Sequence, residues 1–194
     1  DRVLLPNSLG FFYTALCQFI GFDDFGEEYK VMGLAPYGED VHKKLMGKLV
    51  KLDKDGWFKL GKGYFGMHSG GSSDDVDNDK RILMGKFYTD QLERLLGKPR
   101  GRIDELSQRE MNIAKSTQVR FEEAAVHCIN KLHKLIPTDQ LAMAGGCALN
   151  GVANARILRE TEFTNPYLQP ASSDDGTCLG AAYHVWHKVL GREE

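Results

Sequence analysis

Two stretches near the C-terminal end hold the residues best suited to chemistry: LAMAGGCALNGVANARIL from Leu141 and PYLQPASSDDGTCLGAA from Pro166. The first opens on a short apolar run, Leu141 to Ala144, whose length suits a buried strand better than a helix. Gly145 and Gly146 follow, and then Leu149, Val152, Ala153, Ile157 and Leu158 recur at helical spacing. A strand that ends in Gly-Gly and turns into a helix lets backbone N–H groups approach an anion, with a helix N-terminus aimed at it. Asn150 and Asn154 stand one helical turn apart, so both can face one ligand. The second stretch repeats the device. Tyr167 and Leu168 form a short apolar piece, Pro170 closes it, and Asp174-Asp175-Gly176 opens a helix of small residues in which Gly180, Ala181 and Ala182 permit close packing. Taken singly, a Gly-Gly pair is a turn and an aspartate before a helix is an N-cap. Two such turns facing one cleft suggest a phosphate or nucleotide site.

A second group lies upstream, in EEYKVMGLAPYG. Lys30 sits in an otherwise apolar, glycine-flanked segment and could answer a phosphate, while Glu28 could hold a ribose hydroxyl. A solvated surface pair explains the same two residues. The basic turn Lys98 to Arg102 reads either as a surface loop or as an anion contact, because arginine forks suit phosphates. Gln118 and Glu122 lie one turn apart beside an apolar stripe and could reach a cleft. His127 and His133 are six residues apart, the wrong spacing for one metal on one helix face. His184 and His187 are three apart but lack an accompanying Glu, and read as half-exposed side chains.

The elements that must position these residues are mostly helices. Asn7-Ser8 precede the stripe Leu9, Phe12, Tyr13, Leu16, Phe19 and Ile20, which Gly21 ends. Tyr29 to Ala35 is a short helix stopped by Pro36-Tyr37-Gly38, and residues 40–51 carry Val41, Leu45, Met46 and Leu49 at helical spacing. Gly56 to Phe65 reads as a hairpin, and 67–81 as a mobile polar loop. Thr89 caps a helix that Gly97 ends. The longest helix begins at Ser107 with a Ser107–Glu110 capping box and ends at Pro137.

Composition excludes several classes. A net charge of −2 gives no support for a nucleic-acid partner held by bulk electrostatics, and no apolar run approaches a membrane span. Cys17, Cys128, Cys147 and Cys178 lie inside apolar segments without metal spacing, which suits buried reduced thiols of a cytoplasmic protein.

AGGCALNGVAN followed by QPASSDDGTCLGAA resembles the O-carbamoyltransferases of the nodulation-protein and antibiotic-tailoring type. PNSLGFFYTALCQFIGF, EEYKVMGLAPYG, PRGR and AKSTQVRFEEA are similar to the same family, in the same order. The resemblance implies an actin- or sugar-kinase-like ATPase fold whose two lobes enclose a nucleotide, with a divalent metal, usually iron, between them. It implies ATP and carbamoyl phosphate as the source of carbamoyl adenylate, and a hydroxyl-bearing small molecule as acceptor. In register with the family, Asp174 falls on the metal ligand, and Gly145, Gly146, Asn150 and Asn154 on the nucleotide block. Glu28 and Lys30 fall in a further signature block, with Lys30 and Asp174 as the residues closest to the chemistry.

The chain departs from the family pattern by lacking its H-x-x-x-H metal ligands, the strands that start each lobe and the adenylate-forming domain. Residues 1–194 therefore read as a single partial domain, a central fragment of the large domain, that needs the remaining lobe and the adenylate-forming domain of the same polypeptide as partners. Alone, such a fragment is expected to be inactive. Its expected fold is helix-rich α/β with a short parallel sheet packed by helices. Two other readings remain open: a related member of the superfamily, of the tRNA threonylcarbamoyl or sugar-kinase type, or a lobe that only binds.

Overall fold

The apolar stripe after Ser8 forms the first helix, α1 (Leu9–Phe19), in a computed structural model that describes residues 2–66, 75–76, 82–83 and 85–193. Ser8 caps it by accepting from the Phe11 amide, and Gly21, at φ 84°, turns the chain away. Eight of its eleven residues are buried, Tyr13 among them, so the helix is hydrophobic nearly all round and runs through the core. Next come α2 (Glu28–Leu34) and a 3₁₀ turn, Ala35–Tyr37, then α3 (Lys43–Leu49).

Two expectations need correcting here. The helix expected over 40–51 ends at Leu49, because Val50–Leu52 (β1) pairs antiparallel with Phe58–Leu60 (β2). The hairpin therefore spans 50–60 rather than starting at Gly56, and Val41 of the expected stripe is exposed. Asp53 explains the turn: its carboxylate accepts from the amides of Asp55 and Trp57. The loop expected over 67–81 falls outside the described residues except for Asp75–Val76 (β3), which pairs antiparallel with Ile82–Leu83 (β4).

The helix expected after Thr89 is present as α4 (Asp90–Leu96), ended by Gly97 at φ 90°. The long helix is α5 (Gln108–Leu135), and both halves of its Ser107–Glu110 capping box are made. It packs on α1, α2, α3 and the 3₁₀ turn through one face carrying Ile113, Ala114, Thr117, Gln118 and Phe121. Gly38 marks the tightest approach, since a Cβ there would lie 2.0 Å from the Met111 carbonyl oxygen. The main core gathers Phe12, Leu16 and Phe19 of α1, Met46 and Leu49 of α3, Leu92 of α4, and Ile113 and Phe121 of α5.

The last third is built from β5 (Gln140–Met143), α6 (Gly151–Glu160), β6 (Asn165–Leu168) and α7 (Thr177–Tyr183). β5 and β6 pair in parallel, Met143 opposite Leu168, which is the expected short parallel sheet. Val126, Leu141, Ile157 and Phe163 form a second, smaller core between α5, α6 and the sheet. The close packing expected around Gly180, Ala181 and Ala182 does not occur among the described residues: α7 buries none of its seven residues, and Leu179 and Tyr183 stand exposed. The cysteines also need correction. Cys17 is buried and Cys128 partly so, but Cys147 and Cys178 are at the surface.

Candidate functional site

The parallel pairing of β5 and β6 delivers both Gly145 and Asp174 to the same end of the sheet, outside the strands' carboxyl ends. That is where open α/β sheets bind ligands. The two turns touch. The Gln169 amide donates to the Met143 carbonyl at 3.1 Å, and the Gly145 amide donates to the Ser172 carbonyl at 2.6 Å. Gly145 has φ 93°, a left-handed conformation that glycine adopts without strain. A Cβ on Gly146 would meet nothing nearer than Ser173 Oγ at 3.8 Å, so packing does not require glycine there. A 3₁₀ turn, Gly146–Leu149, then leads into α6.

The asparagines do local work. Asn150 is the N-cap of α6: its Oδ1 accepts from the Ala153 amide at 2.9 Å. Its side chain also forms a reciprocal amide pair with Gln118, donating from Nδ2 to Oε1 and accepting at Oδ1 from Nε2, both at 3.0 Å. Asn154, 8% exposed, donates from Nδ2 to the Ala148 carbonyl at 2.7 Å and ties the turn down from below. Its Oδ1 is buried with no hydrogen-bond donor among the described residues, an acceptor left for a hydroxyl or a water.

Asp174 and Asp175 occupy a 3₁₀ turn, Asp174–Gly176, just before α7. Neither carboxylate caps α7 or its turn, and neither has a hydrogen bond or ion pair among the described residues. Both are exposed, in the turn that faces the glycines. The capping explanation for the aspartate pair is thus gone.

Glu28 and Lys30 are held elsewhere. Glu28 Oε1 accepts from Thr14 Oγ1 of α1 at 2.7 Å, and Lys30 Nζ is paired with Glu27. No hydrogen bond or ion pair joins either to the two turns among the described residues. The structure therefore brings together Gly145, Gly146, Asn150, Asn154 and Asp174, and leaves Glu28 bonded to α1 and Lys30 paired with Glu27.

The basic turn is an internal clasp. Arg100 donates to the carbonyls of Ile20, Arg102 and Asp104, and Arg102 bridges Asp23, Asp24 and Glu27. Those three acids come within 4.8 Å of one another, close enough for a cation, and the guanidinium fills that role. Burial works to raise the Glu27 pKa, but hydrogen bonds from Lys30, the Asp24 amide and Arg102 outweigh it and hold the carboxyl below its ordinary value. The histidines are engaged away from the turns. His127 Nε2 lies 2.9 Å from the Asp53 carbonyl, His133 packs edge-on to Phe163, and His187 Nδ1 lies 2.8 Å from the Arg192 carbonyl.

Sequence reasoning placed Gln118 and Glu122 beside a stripe but missed what they join. Gln118, 3% exposed, accepts from Tyr13 Oη at 2.6 Å and donates to Glu122 Oε1 at 2.8 Å. Arg156 of α6 reaches the other Glu122 oxygen at 3.3 Å. Tyr13 was hidden among the apolar residues of the α1 stripe. Its one legible signal was a hydroxyl in a largely apolar helix, which needs a partner once buried.

Residues 2–183 match the family model described as carbamoyltransferase N-terminus. An uncharacterized protein of Synechocystis sp. is 40% identical over 194 residues, covering 99% of this chain and 29% of that protein. Nodulation protein NolO of Bradyrhizobium diazoefficiens is 31% identical over 96% of the chain and 29% of its own length. Nodulation protein NolNO of Sinorhizobium fredii is 29% identical over 91% and 22%. The chain thus spans less than a third of each of these curated relatives. No helix among the described residues is long and apolar enough to cross a membrane.

Proposed function

The chain belongs to the carbamoyltransferase N-terminus family, and on that premise we propose that it contributes the nucleotide-phosphate face of an ATP-dependent O-carbamoyltransferase. The observation that carries this reading is the meeting of the two strand-to-helix turns, with Gly145 and Gly146 on one and a free Asp174 carboxylate on the other. Glycine backbone at a helix start accommodates a phosphate without a side chain in the way and without a repelling charge. The lobe plan proposed is that of the actin-like ATPases, with the second lobe and an adenylate-forming domain supplied by the rest of the polypeptide in the cytoplasm.

In the proposed reaction an acceptor hydroxyl oxygen attacks the carbamoyl carbon of carbamoyl adenylate. The bond from that carbon to the phosphate oxygen breaks, giving the carbamate ester, AMP and a proton. Gly145 and Gly146 leave room for the adenylate phosphate at the turn, the Gly145 amide being already engaged by Ser172, and the unpaired Asn154 Oδ1 accepts a ligand hydroxyl or bridging water. Glu28 and Lys30 act from α2 on the nucleotide once the second lobe closes over it.

A divalent cation, iron by family resemblance, fits Asp174. This carboxylate is exposed, uncapped and unpaired, which is what a ligand awaiting a cation needs, though one carboxylate is a partial donor set. Asp174 would hold it, with the remaining ligands outside these residues. A bound cation there would polarise a carbonyl oxygen and stabilise negative charge on phosphate.

The test is to incubate the whole protein with ATP, labelled carbamoyl phosphate and a panel of hydroxyl compounds. ATP-dependent transfer of label to an acceptor, with AMP released, is expected. Phosphorylation of a sugar, or ATP-dependent threonylcarbamoyl transfer to tRNA, would replace this reading with the corresponding one. Nucleotide binding without any transfer would mark a lobe that only binds.

A further inference from the structure

The hydrogen bonds of Gln118 are complete, and each partner is of a different kind. Its oxygen accepts from the Tyr13 hydroxyl and from Asn150 Nδ2; its NH₂ donates to Glu122 and to Asn150 Oδ1. Two donors and two acceptors at one buried point match the amide of glutamine and no other side chain of that length. A glutamate there would face the Glu122 carboxylate with like charge and could not donate to Asn150. Glu122 is itself pinned by Arg156 of α6, so the network closes on the helix it supports.

The network meets the glycine turn at one residue. Asn150 closes the 3₁₀ turn through its amide, which donates to the Cys147 carbonyl at 3.2 Å, and it starts α6 through its side-chain cap. The turn rests on α1 a second time, where a Cβ on Gly10 would lie 3.7 Å from Cys147 Sγ. The Asn150 bond to the Ala153 amide does not run through Gln118. Removing Gln118 therefore frees the turn without removing the helix cap.

We propose that Gln118, oriented by Tyr13, is a positioning residue that holds Asn150 and through it fixes the Gly145–Leu149 turn for phosphate binding. This rests on the nucleotide-site reading above and adds to it the residues that set the geometry of the turn. Buried hydrogen-bond networks of this kind rigidify what they join when every member is satisfied.

Two variants of the whole protein test it, Gln118→Met and Tyr13→Phe, the second preserving the ring that packs edge-on to Phe121. Amide exchange over residues 145–153 and the dissociation constant of a non-hydrolysable ATP analogue are measured for each. For Gln118→Met, exchange over 145–153 should quicken about tenfold while 154–160 changes little, and analogue binding should weaken about tenfold, as expected for the loss of a few buried hydrogen bonds. Tyr13→Phe should move both in the same direction by about threefold, and it decides the matter if Gln118→Met does not fold. Unchanged exchange over 145–153 overturns the proposal, as does faster exchange with unchanged affinity. If the unaltered protein binds no analogue, the nucleotide reading fails and the proposed role falls with it; the exchange data then show separately whether the network orders the turn.

Discussion

A Cβ built on Gly176 would stand 1.9 Å from the carbonyl oxygen of Ala171, so the aspartate turn closes only because residue 176 has no side chain. Gly146, across the interface between the turns, has 3.8 Å to its nearest neighbour. The two glycines thus answer different demands, one of packing and one of access.

Gly176→Ala should distort the 171–176 turn, because the obstacle is backbone and cannot swing away. A loss of roughly 1–3 kcal/mol is expected, read as a lower melting temperature and faster proteolysis between 171 and 177. Gly146→Val should leave the melting temperature within about 2 °C, since the site has room and surface changes of this kind stay small. In the whole protein the same change should weaken nucleotide binding by crowding the phosphate. A folded Gly146→Val protein with full nucleotide affinity would show that no phosphate approaches there.

Arg102 joins the acidic turn at 23–27 to the loop before α5. Arg102→Met should lower stability by about 2 kcal/mol, a modest figure because the pairs to Asp23 are solvent-exposed. Lys30 would then be left as the cation beside Glu27. The pH dependence follows from Glu27, whose folded pKa lies below its unfolded value. Stability from that shift is present above the unfolded carboxyl range and is lost as pH falls through the folded pKa. The native chain should therefore melt at steadily lower temperature as pH drops below about 4.3. Arg102→Met should melt lower at pH 7 and show a shallower acid dependence. Parallel melting curves for the two proteins from pH 7 to pH 3 would remove Arg102 as the cause.

Helices with strong local signals were legible in the sequence. Ser8, Thr89 and Ser107 cap where their residue types predict, and Gly21 and Gly97 end helices at positive φ. Less legible was the boundary at Val50, where Leu49 and Val50 are both fully buried and a helical stripe runs into a strand without a breaker. Burial of α7 was also misread, because small residues predict close packing only where a neighbour is present. In the site, the two turns were legible from their glycines and aspartates together with the family resemblance, while the hydrogen bonds that join them were not. The Tyr13–Gln118–Asn150 connection was not, since it joins residues up to 105 positions apart and periodicity carries no information on which polar groups meet.

Gly38 offers a test outside the two turns. A Cβ there would lie 2.0 Å from the Met111 carbonyl oxygen, so Gly38→Ala should push the 35–37 turn off α5. Roughly 1–3 kcal/mol of stability should go, with nucleotide affinity falling by more than the unfolded fraction, because the turn continues α2, which carries Glu28 and Lys30. An affinity loss that only tracks the unfolded fraction would take the α2 segment, with Glu28 and Lys30, away from the ligand.

Asp174 and Asp175 are adjacent, exposed and without cap bonds, so the structure gives neither a stabilising task. That makes their substitution informative. A carboxylate that holds a cation does so by its charge, and Asn keeps the shape while removing the charge. Asp174→Asn in the whole protein should therefore keep the melting temperature of the metal-free form within about 2 °C, as expected for an exposed site. Metal content by elemental analysis should drop at least tenfold, in line with about 1.4 kcal/mol or more of lost binding free energy, and carbamoyl transfer should fall with it. Asp175→Asn should change metal content and turnover by no more than about twofold, since a non-ligand surface charge contributes little. If metal and turnover follow Asp175 instead, the ligand is its neighbour and the family register is off by one. If neither substitution alters metal content, the cation is not held by this turn, and the exposed aspartates serve only the charge of the surface.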